Sequence, residues 1–167
     1  MAVTLRERFP ILTCFEIITI GLPFCAFKMI TAIYVLTYYR EGAFVWAFTG
    51  TLFFLGIIDS LLNLGNLLGL LFKRRRLMPI CLFTFFSEKI LRHFRQSPED
   101  HLEFGTAIDV LLSFFLVALM ILDSALPRLQ GWHLMLWNWS VVLNVLGAGL
   151  GRFWQAWRNL KENRQLL

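Results

Sequence analysis

Four long apolar stretches occupy most of the chain and limit what it can fold into. They cover residues 17–38, 43–72, 104–126 and 133–151. One helical crossing of a bilayer needs roughly 20 apolar residues, and each stretch is close to or above that length. Because 57% of the residues are hydrophobic and only 16% are charged, a single soluble core could not bury this much apolar surface. The sequence therefore predicts an integral membrane protein with four transmembrane helices.

Short turns between the stretches predict two antiparallel hairpins in series, forming an all-α, membrane-embedded four-helix bundle. YYREGA (38–43) joins the first pair and ALPRLQGWH (125–133) joins the second. Ser97 and Pro98 are a typical N-cap and first position, so the third helix begins before its apolar stretch. The chain then forms one transmembrane domain, with helices predicted at residues 17–38, 43–72, 98–126 and 133–158.

A shorter apolar segment lies between the two predicted hairpins. LMPICLFTFF (77–86) would span about 15 Å as a helix, which is too short to cross. Four apolar positions then share one helical face, away from the charged residues: Phe83, Phe86, Ile90 and Phe94. This pattern favours an interfacial amphipathic helix over residues 79–96 on the cytoplasmic side. A re-entrant loop is the alternative, but its backbone would have to be covered by protein.

The basic residues are distributed unevenly along the chain. Thirteen of the 16 lysines and arginines lie in the two tails and the central loop, and only Arg40 and Arg128 lie in the short turns. This positive-inside bias predicts that both termini are cytoplasmic, or on the equivalent side. Anionic lipid accounts for these charges, so the net charge of +5 does not call for a nucleic-acid partner. Contacts with lipid headgroups are expected from Arg74, Arg75, Arg76, Arg92, Arg152 and Arg158.

Two charged residues fall at the midpoints of the first two predicted helices, Lys28 and Asp59. A charge at the bilayer centre costs about 2.5–3.5 kcal/mol, so each needs a partner or a function. Because the two predicted helices run antiparallel from the turn at Gly42, the residue of the second helix that lies opposite Lys28 is Gly56. Gly56 is three residues and about 4.5 Å from Asp59. A lysine stem can bridge that distance. We therefore predict an ion pair between Lys28 and Asp59.

Other polar residues extend this pair into a polar layer across the bundle. Asn144 lies at mid-depth on the fourth helix, and we expect it to hold Asp59 together with Lys28. The predicted layer comprises Lys28, Asp59, Asn63, Asn66, Asp109, Ser113, Ser140 and Asn144. Close helix packing is expected at three glycines, because small residues let helix backbones approach: Gly56, Gly147 and Gly151.

Residue patterns for catalysis or cofactor binding are missing at the predicted membrane depth. His93 and His101 lie in the charged loop, and no His-x-x-x-His or Glu-x-x-His spacing occurs. The three cysteines include no CxxC pair. The sequence thus predicts a protein that is not an enzyme and has no metal or cofactor. One alternative to the absence of a cofactor is left open, in which His133, beside Trp132, is an axial ligand of haem or of a pigment.

Two functions fit this sequence. The first is an accessory or assembly subunit that packs against other integral membrane subunits, or against itself, with the polar layer setting helix register. The second is a small oligomeric ion channel or proton-coupled transporter using the intramembrane Asp, Asn and Lys residues. The first is favoured, because a lysine that neutralises its aspartate makes that pair a poor carrier.

Overall fold

A computed structural model of the protein describes residues 10–73, 77–79, 81–91 and 98–164, and the regular structure in these residues is helical. A π-helical segment, Ile17–Gly21, joins the first two helices, and a 3-10 turn, Leu126–Arg128, lies in the last linker. The α-helices are α1 (Pro10–Glu16), α2 (Leu22–Tyr38), α3 (Ala43–Lys73), α4 (Leu82–Leu91), α5 (Pro98–Leu122) and α6 (Gly131–Arg164).

Some predicted headgroup contacts fall outside what the structure describes. Arg74, Arg75, Arg76 and Arg92 lie outside the described residues. Arg152 and Arg158 belong to α6, but their side chains are outside the described part. These six residues therefore stay predictions from the sequence.

Four stretches of the described chain are long and apolar enough to cross a membrane by length and composition. This confirms the predicted number of long apolar helices. They are Thr13–Tyr38, Ala43–Lys73, Phe104–Leu122 and Gly131–Gly151. The helix ends differ from the predicted ones, since α5 stops at Leu122 and Ser124 takes a positive φ of 52°. The last helix begins at Gly131, whose φ of +57° suits a residue without a Cβ.

The first of these stretches is not a regular α-helix. Its π-helical segment, Ile17–Gly21, comes directly before Leu22 and Pro23. Proline lacks a backbone N–H and its ring crowds the preceding turn, which interrupts the regular hydrogen-bond ladder. Thr19 is buried in the widened turn, where its hydroxyl donates to the carbonyl oxygen of Phe15 at 2.7 Å.

The central element of the fold is α2. It packs against α3, α5 and α6, whereas α5 and α6 barely approach one another through their described backbones. The apolar core consists of α2 side chains packed against residues of α5, the last linker and α6: Phe24, Phe27, Ile30, Tyr34, Met120, Leu129 and Trp137. α2 and α3 pack closely together, whereas α5 and α6 meet mainly through α2. Residues 123–130 make a linker long enough to let them separate.

The helix assembly has two ends, which differ in the chain segments they carry. The turn end holds residues 39–42 and 123–130, which meet where Tyr39 and Tyr38 donate to Asp123 and to the Arg128 carbonyl. The tail end is the opposite one, where α1 begins and α3 and α6 finish.

Gly147 fixes how closely α6 approaches the π-helical segment. A Cβ placed on Gly147 would lie 2.6 Å from the Cβ of Thr19 and would also clash with its hydroxyl oxygen. Among the described residues, nothing lies within 4 Å of the same position on Gly151. Of the two glycines predicted to pack on this helix, Gly147 is therefore packed within the chain and Gly151 faces open space.

Substituting these two glycines by alanine is expected to have opposite effects on stability. Gly147→Ala forces α6 away from buried Thr19 and should lower the free energy of unfolding by about 1–3 kcal/mol. Gly151→Ala adds a methyl group in open space and should raise it by up to about 1 kcal/mol, since alanine favours helix. Thermal or detergent unfolding of the purified protein measures both. Equal effects of the two substitutions would contradict this packing.

Candidate functional site

The ammonium group of Lys28 lies at the centre of the molecule. The residue is on α2 and is completely buried. Its Nζ donates to Oδ2 of Asp59 on α3 at 2.5 Å, and to Oδ1 of Asp109 on α5. We call these three residues the Lys28 cluster. The structure thus contains the ion pair expected between Lys28 and Asp59, and it adds Asp109 as a second acid on the same ammonium.

A glycine allows α3 to reach this position. A Cβ on Gly56 would lie 2.6 Å from Cγ of Met29 and 3.2 Å from the carbonyl oxygen of Cys25. The backbones of α2 and α3 are therefore in direct contact at the third predicted packing glycine. This close approach brings Asp59, one turn farther along α3, within reach of Lys28.

The second oxygen of Asp59 binds the beginning of α4. Its Oδ1 accepts a hydrogen bond of 2.7 Å from the backbone N–H of Leu82, the first residue of that helix. The N-terminus of a helix carries roughly half a positive charge, which favours a carboxylate there. The two acids of the cluster are thus balanced by one ammonium and by the end of a helix.

The segment before α4 runs back along α3, held by Asn66. The side-chain oxygen of Asn66 accepts the N–H groups of Leu77 at 3.1 Å and of Met78 at 2.8 Å. Its Nδ2 donates to the carbonyl oxygen of Pro79 at 3.0 Å. From Asn66 the chain continues toward Asp59, about 10 Å farther along α3 at 1.5 Å per residue.

Within the predicted interfacial helix, residues 79–96, the described residues form a shorter helix, and residues 92–96 lie outside the described part of the chain. The helix that forms is α4, Leu82–Leu91, and it starts beside the middle of α3 rather than at its end. It then packs against α5, where a Cβ on Gly105 would lie 2.5 Å from the Cα of Thr84. The buried side chains of Asn66 and Asp59 supply the backbone partners that this segment needs. A re-entrant path, the alternative to the interfacial helix in the sequence analysis, has the same requirement.

Asn63 is buried beside the cluster but does not bind its acids through their carboxylates. Its Nδ2 donates to the Asp59 backbone carbonyl at 2.8 Å and lies 3.7 Å from the sulfur of Cys25. Its Oδ1 has no partner among the described residues. Glycine at position 21 leaves room for this amide, since a Cβ there would lie 2.6 Å from the Oδ1.

Two buried hydroxyl groups near the cluster also lack a hydrogen-bond partner in the described part of the chain. One is Ser113, a turn beyond Asp109 on α5, and the other is Thr31, a turn beyond Lys28 on α2. An unsatisfied buried hydroxyl costs about 1–3 kcal/mol. Both lie on the side of the cluster that faces the turn end.

The polar residues predicted on the last helix do not join the cluster. Trp137 packs on Phe27 with ring centroids 5.0 Å apart, and Gly147 lies against Thr19. This register places Asn144 near the level of Gly21, about two turns from Lys28. Asn144 is half-buried and makes no hydrogen bond to the described residues; Ser140 is buried but likewise contacts neither acid. The expectation that Asn144 holds Asp59 is wrong, because the N–H of Leu82 occupies that place.

A second polar cluster closes the turn end. The carboxylate of Asp123 accepts the hydroxyl of Tyr34 at 2.7 Å and that of Tyr39 at 2.5 Å. Arg128 donates to the Tyr34 hydroxyl oxygen at 3.1 Å, and its guanidinium lies 5.8 Å from the Tyr38 ring centroid. Hydrogen bonds from Tyr39 and Tyr34 lower the pKa of Asp123, and the bond with Tyr34 raises the pKa of Arg128. We call these residues the turn-end cluster.

The sequence alone revealed neither the hydrogen-bond partners of Asn66 nor the N–H of Leu82 as the donor to Asp59. A signal for both was present, because Asn66 lay at membrane depth with no assigned partner while the apolar segment 77–86 was too short to cross. A polar side chain without a hydrogen-bond partner and a backbone segment without hydrogen bonds, both expected at the same membrane depth, could have been paired with one another.

In the described residues, no group of three or more His, Cys, Asp or Glu side chains converges as a metal site would require. His133 stacks on Trp132, with ring centroids 3.8 Å apart.

Comparison of the chain with protein-family models, with curated proteins and with solved structures gave no match. The function proposed below therefore rests on the sequence and on the contacts just described.

We expect removal of the lysine alone to be more damaging than removal of all three charges. Lys28→Met leaves two buried carboxylates without their cation and should lower the free energy of unfolding by about 3–5 kcal/mol. The triple variant Lys28→Met/Asp59→Asn/Asp109→Asn should recover at least half of that loss, because the amide oxygen that replaces the Asp59 carboxylate can still accept the N–H of Leu82. Unfolding by SDS in mixed micelles compares the two. A triple variant as unstable as the single one would refute charge balance as the organising factor.

The turn-end cluster should make stability depend on pH in the acid range. A carboxyl group with a lowered pKa stabilises the fold above its unfolded value of about 3.9, and this contribution is lost as pH falls through the folded pKa. Tyr39→Phe should raise the pKa of Asp123 toward its ordinary value and reduce this acid-range dependence. Carboxyl-carbon NMR titration in detergent measures the pKa. Tyr38→Phe is the matched control and should leave it unchanged, since Tyr38 donates to the Arg128 carbonyl instead.

Proposed function

We propose that this protein is a non-enzymatic integral membrane protein, an accessory or assembly subunit that packs within a larger membrane complex. The observation that carries the proposal is where the polar groups lie. The three charges of the Lys28 cluster are satisfied inside the chain by one another and by the N–H of Leu82. The outward faces of the long helices carry large apolar side chains such as Phe54, Leu61 and Leu111.

This distribution is the one expected of a chain surrounded by hydrocarbon. Ionisable side chains inside a membrane face the interior of a bundle and pair there, and apolar side chains face lipid or other helices. The four apolar stretches would cross the bilayer as one bundle around α2. The positive-inside bias supports a cytoplasmic location for the tail end and for both termini. With that orientation the segment 77–91 is re-entrant from the cytoplasmic side, and the basic residues near the tail end contact lipid headgroups.

The subunit role follows from what the described surface can do. Its Lys28 cluster is occupied by contacts within the chain, and the apolar helix faces are left for binding lipid or other integral membrane subunits. Gly151 on α6 offers a place for close approach, since nothing in the described chain lies within 4 Å of where its Cβ would be. Small residues at such positions let a second helix backbone come near.

Purification of the tagged full-length protein in a mild detergent tests this role. Wild-type protein should retain foreign integral membrane chains at a fixed ratio. Gly151→Leu should reduce their recovery several-fold without lowering the melting temperature, because nothing in the described chain lies within 4 Å of the added Cβ. Gly50→Leu is the matched control, since Gly50 also faces open space but on α3. A homogeneous oligomer of this chain alone would oppose the role in a larger complex.

A second candidate is a small oligomeric ion channel or proton-coupled transporter. It is favoured by one observation, that two carboxylates share a single ammonium at the N-terminus of α4, which begins beside the middle of α3. Carriers often place short-helix termini at mid-depth in this way. Reconstituted wild-type protein should show no proton or ion flux under our proposal. A flux abolished by Asp59→Asn or Asp109→Asn, each still folded, would instead establish the transporter.

A further inference from the structure

An open groove separates α3 from α5 on the half of the molecule nearer the turn end. Both helices pack against α2 but not extensively against each other, so α2 forms the floor between two walls. The groove has a volume of about 510 Å³, within the range of small-molecule sites in proteins. Its lining includes Thr31 and Val35 on the floor, Phe44 and Phe48 on one wall, and Phe115 and Leu119 on the other.

The inner part of this groove suits a hydrocarbon chain better than water. A stable buried water needs two to four polar partners. Thr31 is the one polar side chain that the described lining supplies away from the turn-end residues Tyr34, Tyr39 and Asp123. An empty groove would forfeit dispersion contacts along both aromatic walls, and a chain of methylene groups restores them. Over the roughly 12 Å from Thr31 to Tyr39, a helix about 10–12 Å in diameter would fill about 1,000 Å³, which exceeds the volume of the groove.

The turn end of the groove presents one positive and one negative group. Asp123 lines the groove itself, and Arg128 bonds to the hydroxyl of Tyr34, another lining residue. Arg128 is exposed, and its guanidinium retains donors for a phosphate, which it matches in shape and charge. Each oxygen of Asp123 accepts one tyrosine hydroxyl and keeps a further lone pair for an ammonium.

We propose that the α3–α5 groove binds one zwitterionic glycerophospholipid, with an acyl chain between Phe48 and Phe115 and the headgroup at the turn-end cluster. The phosphate lies at Arg128 and the ammonium at Asp123. An anionic lipid without an ammonium would leave Asp123 facing a second negative charge, and a diacylglycerol would leave Arg128 without its phosphate. The site relies on the membrane location proposed above but is independent of the subunit role.

Native mass spectrometry of the delipidated full-length protein in detergent tests this site. The probes are phosphatidylethanolamine, phosphatidylglycerol and diacylglycerol with the same acyl chains. We expect one tightly retained phosphatidylethanolamine per chain, bound at least tenfold more tightly than diacylglycerol and more tightly than phosphatidylglycerol. Equal affinities for the three lipids would show only unspecific coating of the apolar surface and would overturn the proposal, as would a preference for phosphatidylglycerol.

Matched tryptophan substitutions locate the bound chain. Val45→Trp fills the groove and should weaken phosphatidylethanolamine binding about tenfold, whereas Ala47→Trp, two residues along the same helix and exposed, should leave it within twofold of wild type. Leu119→Trp repeats the test from the opposite wall if Val45→Trp fails to fold, with exposed Leu111→Trp as its control. Equal losses in a groove variant and its control would place the lipid elsewhere.

Substitution of Arg128 locates the headgroup. Arg128→Gln should weaken binding of phosphatidylethanolamine without changing that of diacylglycerol, and Arg128→Lys should recover part of the loss. Arg40→Gln removes an exposed arginine from the other turn and should change neither. Melting temperatures measured alongside detect any loosening of the turn-end cluster. Loss of binding to both lipids in Arg128→Gln, at an unchanged melting temperature, would contradict the assigned position of the phosphate.

Discussion

The buried ammonium of Lys28 is the interaction on which the rest of the structure depends. Neither this group nor its two acids could lie in an apolar interior alone, because an isolated charge there is costly. Placed together they bind α2 to α3 and to α5, and the second carboxylate oxygen of Asp59 accepts the N–H at the N-terminus of α4. Four separate elements therefore have their relative positions set at one point.

This point also explains how irregular backbone can exist beside the middle of a long apolar helix. Residues 77–79 have exposed or half-buried positions along α3, and Asn66 satisfies two of their N–H groups and one carbonyl. Non-helical backbone at membrane depth is tolerated only where protein or water supplies such partners. The asparagine and the aspartate thus act as substitutes for the missing helical hydrogen bonds. A polar stripe on α3 is used to hold a neighbouring segment of the same chain.

The central position of α2 has consequences for the outer surface. Because α3, α5 and α6 pack against α2, each has an apolar face that points away from α2. The same arrangement leaves a groove between α3 and α5. The interior is occupied by contacts that the chain makes with itself, whereas these faces and this groove are open. Any partner in the membrane, whether a lipid or another helix, would meet the protein there. In the lipid site proposed above, the turn-end cluster supplies the charged groups that would distinguish one headgroup from another.

The length and composition of the apolar stretches were enough to predict an all-helical protein with four long apolar helices, since each local run is close to or above the length that a membrane crossing needs. The short turn at Gly42 was likewise enough to predict that Lys28 lies near Asp59, because a tight turn fixes the register of the two helices that it joins. The sequence could not determine that Asp109 joins this pair, or that α6 is displaced so that Asn144 lies near Gly21. The position of Asn144 depends on side-chain packing at Gly147 and Trp137, on a helix that an eight-residue linker joins to α5. The path of residues 77–91 was decided only by the tertiary structure, because periodicity describes the face of a helix and not the hydrogen bonds that Asn66 and Asp59 provide from another one.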